Sequence, residues 1–128
     1  MKFDTYLAIG IGGFIGAIIR AYTAGLVNGL VKHDIPFGTL AVNWIGSFIL
    51  GVLIAMIQTN MIENPYLKSL LTTGMMGALT TFSTFAIESF FLIQNGLIIE
   101  SLVYISLNVI GSIILAAAGF KLITGIYQ

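Results

Sequence analysis

The sequence predicts an all-α membrane protein with four transmembrane helices, the third of them broken. Three observations carry this. Of the 128 residues, 58% are hydrophobic and only 8% charged, against about a quarter charged in a soluble domain. Four apolar stretches each reach the roughly 20 residues needed to cross hydrocarbon. The third of them gathers threonines, serines and glycines that a plain lipid-embedded helix does not need. A soluble domain of this size would still give its helices a polar face, and long parts of this chain have none.

The spans fall at residues 6–31, 37–59, 67–93 and 97–126, within a single domain covering 1–128. The first begins after Lys2 and Asp4 and runs too long for a signal-peptide core, with no A-x-A-like cleavage site, so it reads as a permanent span. Lys32, His33, Asp34 and Pro36 mark the first turn, Asn60, Glu63, Asn64 and Pro65 the second, and Gln94, Asn95 and Gly96 the third. An even number of spans places both termini on one side. That side carries Lys2, Lys68 and Lys121, and the other carries Lys32 and, inside the first span, Arg20. So small a bias allows either a single orientation or insertion both ways, and the latter permits an antiparallel homodimer. Glycines at small-residue spacing, Gly12 with Gly16 and Gly25 with Gly29, then Gly46, Gly51, Gly111 and Gly119, point to close helix packing.

Composition excludes several classes of function. With no cysteine there is no disulfide framework, thiolate chemistry or cysteine-held metal. Five basic and five acidic residues give no net charge and no charge run, which argues against a nucleic-acid partner. Enzyme chemistry finds no nucleophile beside a base, no paired carboxylates and no phosphate loop. Transport or assembly remains.

The chemistry concentrates at residues 69–85, SLLTTGMMGALTTFSTF. Its hydroxyls can bond back to carbonyls one turn earlier in an intact helix. Alternatively the helix breaks near Gly77, exposing carbonyls at one end and amides at the other, an arrangement suited to ions near the midplane. The glycines, threonine pairs and excess length together favour the break. Phe82 and Phe85 share a helix face just after it. Two rings at that spacing commonly pack, but their edges are electropositive and they interleave with Thr81, Ser83 and Thr84, which can donate hydrogen bonds to an anion.

Asn43 lies inside the second span, where its amide either glues helices together or faces an anion path. Tyr104, Asn108 and Ser112 recur every fourth residue and draw a polar stripe down the fourth span. Arg20 and Glu88 are the ionisable residues well inside spans, and intramembrane charge marks function by default. They either pair with each other, or Arg20 gathers anions in a vestibule while Glu88 caps or gates an exit. His33, in a loop, reads as solvated.

Four segments, GIGGFIGAIIR from Gly10, GTLAVNWIG from Gly38, GALTTFSTF from Gly77, and the pair Gly111 and Ser112, resemble the Fluc, or CrcB, family of fluoride channels. The resemblance covers all four spans. It implies a dual-topology antiparallel homodimer in the plasma or inner membrane, with two fluoride pores and a structural sodium ion at the dimer centre. Residue by residue, it implies that main-chain carbonyls of Gly77 and Thr80 hold the sodium. It implies that Phe82 and Phe85 line the fluoride path edge-on, and that Asn43, Ser83, Thr84, Tyr104 and Ser112 hydrogen-bond the ion. Arg20 resembles the family's vestibule arginine, and Glu88 a recurrent acid after the motif. Ala78 and Ala86 stand where glycine and serine are frequent, and Asn108 occupies a variable polar position.

Two rivals come from other classes. A four-span drug/proton antiporter needs an exchangeable acid deep in the first span, where this chain has Arg20 and no acid beyond Asp4. A non-transporting membrane subunit would use the glycines but leave the clustered threonines idle.

Overall fold

A computed structural model describes residues 2–126. Four helical spans run through it: α1 (Phe3–Leu30), α2 (Phe37–Gln58), an interrupted third span (Pro65–Gln94) and α6 (Ile98–Ile126). At about 1.5 Å per residue, the 22 residues of α2 already exceed a hydrocarbon core of about 30 Å. Large apolar side chains such as Phe14, Leu102 and Ile113 point outward, as lipid requires of a membrane protein.

The third span consists of α3 (Pro65–Ser69), a π-helical stretch (Leu70–Met76), α4 (Gly77–Leu79), two extended residues, and α5 (Phe82–Gln94). Both sequence readings of its hydroxyls therefore hold, at different places. Thr72 and Thr80 donate back to the carbonyls of Lys68 and Met76, at 2.7 and 3.0 Å. The helix nevertheless opens at Thr80 (ψ 156°) and Thr81 (φ −149°, ψ 119°).

Each turn is closed by local chemistry. Asn28 near the end of α1 accepts the Gly38 N–H at 2.8 Å, satisfying one orphan donor at the start of α2. His33 Nδ1 accepts the Ile35 N–H at 3.0 Å, and Ile35 is buried. His33 is thus exposed, as the sequence suggests, and also a fixed part of the turn. Asn64 caps α3 by accepting from Tyr66 and Leu67, with Pro65 supplying the first helical residue. After α5, Gly96 takes a left-handed φ of 80°, and Leu97 N–H reaches back to the Leu92 carbonyl at 2.8 Å, which ends the helix sharply.

Helix packing divides the predicted glycines into three groups: those that receive a neighbour's backbone, then Gly46 and Gly111, which receive the side chains of Thr80 and Trp44, and those that face open space. α2 and α6 lie along one another, with Gly51 against the Ala116 carbonyl and Gly119 against that of Phe48. α1 lies on the π-helical stretch, where Gly12 and Gly16 receive the carbonyls of Leu70 and Met75. A Cβ at any of these four would collide with backbone. Gly25 and Gly29 face open space and take no part in packing within the chain.

Candidate functional site

The break is held from the neighbouring span. Asn43 Oδ1 accepts the Thr81 N–H at 2.8 Å, and Asn43 Nδ2 donates to the Thr81 carbonyl at 3.1 Å. The planar amide thus pairs with an extended residue as a strand neighbour would, satisfying buried backbone that the lost helix cannot. The second Nδ2 hydrogen goes to Asn108 Oδ1 at 2.9 Å, and Asn108 Nδ2 donates to the Tyr104 carbonyl at 3.1 Å. Asn43 therefore acts as helix glue of a specific kind, with both donors engaged across α2, α6 and the break.

Diverting the Thr81 N–H has a consequence one turn earlier. In a continuous helix that donor would close on the Gly77 carbonyl. Taken by Asn43, it leaves the Gly77 carbonyl without that partner at an exposed position, while the Gly77 N–H stays in the ladder on the carbonyls of Thr72 and Gly74. Thr80 is half-buried beside it. On the other side of the break, the Thr81 side chain caps α5, its Oγ1 accepting the Thr84 N–H at 3.3 Å and donating to Thr84 Oγ1 at 3.1 Å.

Three rings continue from the break in edge-to-face contact. Phe82 meets Phe85 with centroids 5.5 Å apart at 72°, and Phe85 meets Tyr104 at 5.5 Å and 61°. Their environments differ sharply: Phe82 is 77% exposed, Phe85 7% and Tyr104 fully buried. The Tyr104 hydroxyl donates to Glu88 Oε1 at 3.1 Å. The Arg20–Glu88 pair, one of two readings of the sequence, does not form. α1 packs on α2 and the first half of the third span, and the Glu88 partner comes from α6.

An open groove of about 340 Å³ runs past the break, lined by Asn43, Ser47, Thr80, Thr81, Phe82, Phe85, Asn108 and Ser112 among others. The fold thus brings Asn43, Thr80, Phe82, Phe85 and Ser112 to one surface, with Tyr104 and Glu88 joined behind Phe85. Ser83 is exposed on α5, Thr84 is tied to Thr81, and Arg20 lies apart on α1. Two further residues belong to this region, buried Thr39 and groove-lining Ser47. Their signal was present in the sequence: Thr39, Asn43 and Ser47 repeat every fourth residue, as Tyr104, Asn108 and Ser112 do, and the two stripes meet at the Asn43–Asn108 bond.

A clamped break, a ladder of ring edges and facing polar stripes thus lie together along one groove. Residues 7–120 match the family described as CrcB-like protein, Camphor Resistance (CrcB). The chain is 74% identical over its full length to the fluoride-specific ion channel FluC of Nautilia profundicola, all of which is covered. It is 55% identical to the protein of the same name from Sulfurimonas denitrificans, covering 96% of this chain and 95% of that one. With the fluoride-specific ion channel FluC of Methanocaldococcus jannaschii the identity is 47%, over 95% of this chain and 96% of the other. The chain belongs to the CrcB/FluC family of fluoride-specific ion channels.

Proposed function

We propose that this protein is a passive fluoride channel, working as an antiparallel homodimer with two anion paths. Hydrogen fluoride enters cells from acid surroundings by diffusion and dissociates at cytoplasmic pH. The channel lets the trapped anion leave down its gradient, without ATP. The observation that carries this reading is the two-bond clamp of Asn43 on Thr81, which keeps a helix open beside Phe82 and Phe85.

The path would run along the groove. Phe82 and Phe85 offer ring edges, and Ser83, Thr84 and Ser112 offer neutral hydroxyls, which can replace the water shell of a small anion without trapping it; the Tyr104 hydroxyl joins them by exchanging its Glu88 bond for the ion. Asn43 joins them by exchanging its Asn108 bond for the ion. Arg20 raises the anion concentration at the mouth, and Glu88 holds the Tyr104 hydroxyl.

A second copy has a physical reason to be present. The Gly77 carbonyl, released from the ladder on an exposed surface, would be costly to leave facing hydrocarbon. Carbonyls of Gly77 and Thr80 from two chains make a hard-oxygen set that suits sodium. Once bound, sodium would fix both breaks and add positive potential between the two paths. The antiporter reading lacks its acid, since Asp4 in the first turn is the only carboxylate of α1.

Purified protein in liposomes loaded with fluoride, monitored by a fluoride electrode, tests the proposal. Rapid fluoride efflux with chloride retained is expected, and no efflux from folded, vesicle-inserted protein sinks the channel reading.

A further inference from the structure

α2 meets α6 through two adjacent pairs in one layer. On the inner side Asn43 Nδ2 donates to Asn108 Oδ1, and one position along α2 the Trp44 indole Nε1 donates to the Leu107 carbonyl, both at 2.9 Å. The indole rests on Gly111, where an added Cβ would stand 2.5 Å from Nε1 and 2.7 Å from Cε2. Both are ring atoms held by the hydrogen bond, so the clash could be relieved only by moving the indole off the carbonyl.

Neighbouring residues on a helix point about 100° apart. The Asn43 and Trp44 bonds therefore anchor α2 to α6 at two azimuths of the same layer. The glycine contacts set how closely the helices approach, and two bonds at different azimuths of this layer restrict their roll more than either does alone. This matters because the planar Asn43 amide must present its oxygen to the Thr81 N–H and its nitrogen to both the Thr81 carbonyl and Asn108. Only a narrow range of roll satisfies all three. Trp44 is not part of the groove lining; it faces an apolar surface with Phe37, Leu40 and Ala41.

We infer that Trp44 is a positioning residue for the ion path: its N–H on the Leu107 carbonyl, seated over Gly111, fixes the roll of α2 on α6 and so holds the Asn43 amide to the break. This rests on the channel reading, which wild-type efflux in the same vesicles tests separately.

The test uses liposomes so dilute in protein that most hold one channel or none. The fraction of vesicles that empty then counts working channels, and the emptying rate reports each channel's turnover. Trp44→Phe keeps an aromatic ring, though a smaller one, and loses the N–H, and Gly111→Ala displaces the indole. Each should leave the emptied fraction near wild type and slow emptying about three- to tenfold. The double variant should be no slower than the slower single one, because both remove one contact. A smaller emptied fraction at wild-type rate would assign Trp44 to folding alone and overturn the proposal, as would additive slowing. A further readout requires neither variant. Trp44 is the sole tryptophan, and loosening the inner anchor with Asn108→Ser should lower its fluorescence anisotropy, whereas an unchanged value contradicts the two-anchor layer.

Discussion

Asn43 and Thr81, 38 residues apart in the chain, exchange two hydrogen bonds, so that one side chain of the second span takes over the backbone pairing that the third span gives up. In hydrocarbon no water would substitute for either bond. The break is therefore a built feature whose stability depends on one amide.

It follows that Asn43→Ala should damage the fold and the function together. It strands a buried N–H and a buried carbonyl, each at a cost of about 1–3 kcal/mol. Thermal unfolding in detergent should shift down clearly, and fluoride efflux should fall to the level of empty vesicles. Asn43→Asp keeps the acceptor for the Thr81 N–H but sets a carboxylate oxygen against the Thr81 carbonyl, so it should rescue neither property.

The two phenylalanines should separate by the same pair of measurements. Replacing either by isoleucine removes a ring edge from the path, and efflux should be abolished in both variants. Stability should respond only at Phe85, which is buried against Tyr104, with a loss of about 1 kcal/mol. Phe82, 77% exposed in the single chain, should unfold at the wild-type temperature. Undiminished flux in both would reduce the rings to packing.

Glycine substitutions in α1 should split by location. Gly12→Ala drives a methyl group into the Leu70 and Met75 backbone of the π-helical stretch, and a destabilisation of about 1–3 kcal/mol is expected. Gly25→Ala meets open space within the chain and should be neutral or stabilising by up to about 1 kcal/mol, from helix propensity alone. A strong loss at Gly25 would instead place that face of α1 against the second subunit.

Cation replacement addresses the released carbonyls. Protein prepared with a bulky organic cation in place of sodium should lose at least tenfold in efflux rate and regain it when sodium returns. Flux indifferent to the cation would leave the carbonyls of Gly77 and Thr80 to another partner. Cross-linking through one cysteine introduced near the dimer axis, with only parallel pairs recovered, would contradict the two-fold antiparallel arrangement.

Much of this architecture was legible locally. Hydropathy located the four spans to within a few residues, because burial in lipid acts on each segment by itself. The break was legible too, from the glycine and hydroxyl crowding at residues 69–85, and its observed place at Thr80 and Thr81 falls inside that window. The stripe through Tyr104, Asn108 and Ser112 was visible by period, and the same period would have found Thr39 and Ser47.

The sequence by itself thus determined a membrane protein of four spans with a polar interruption in the third, since both follow from side-chain chemistry read along one helix at a time. Only the tertiary structure decided which partner each polar group takes. It gave the donors of Asn43 to Thr81 and Asn108, the Glu88 carboxylate to Tyr104 instead of Arg20, and the Trp44 indole to Leu107. It also separated the glycines that receive a neighbour's backbone from those that face outward. The physical reason is common to all of these. Hydrogen bonds in a membrane interior must close, but which groups meet depends on the roll and height of helices far apart in the chain, and no local pattern records that.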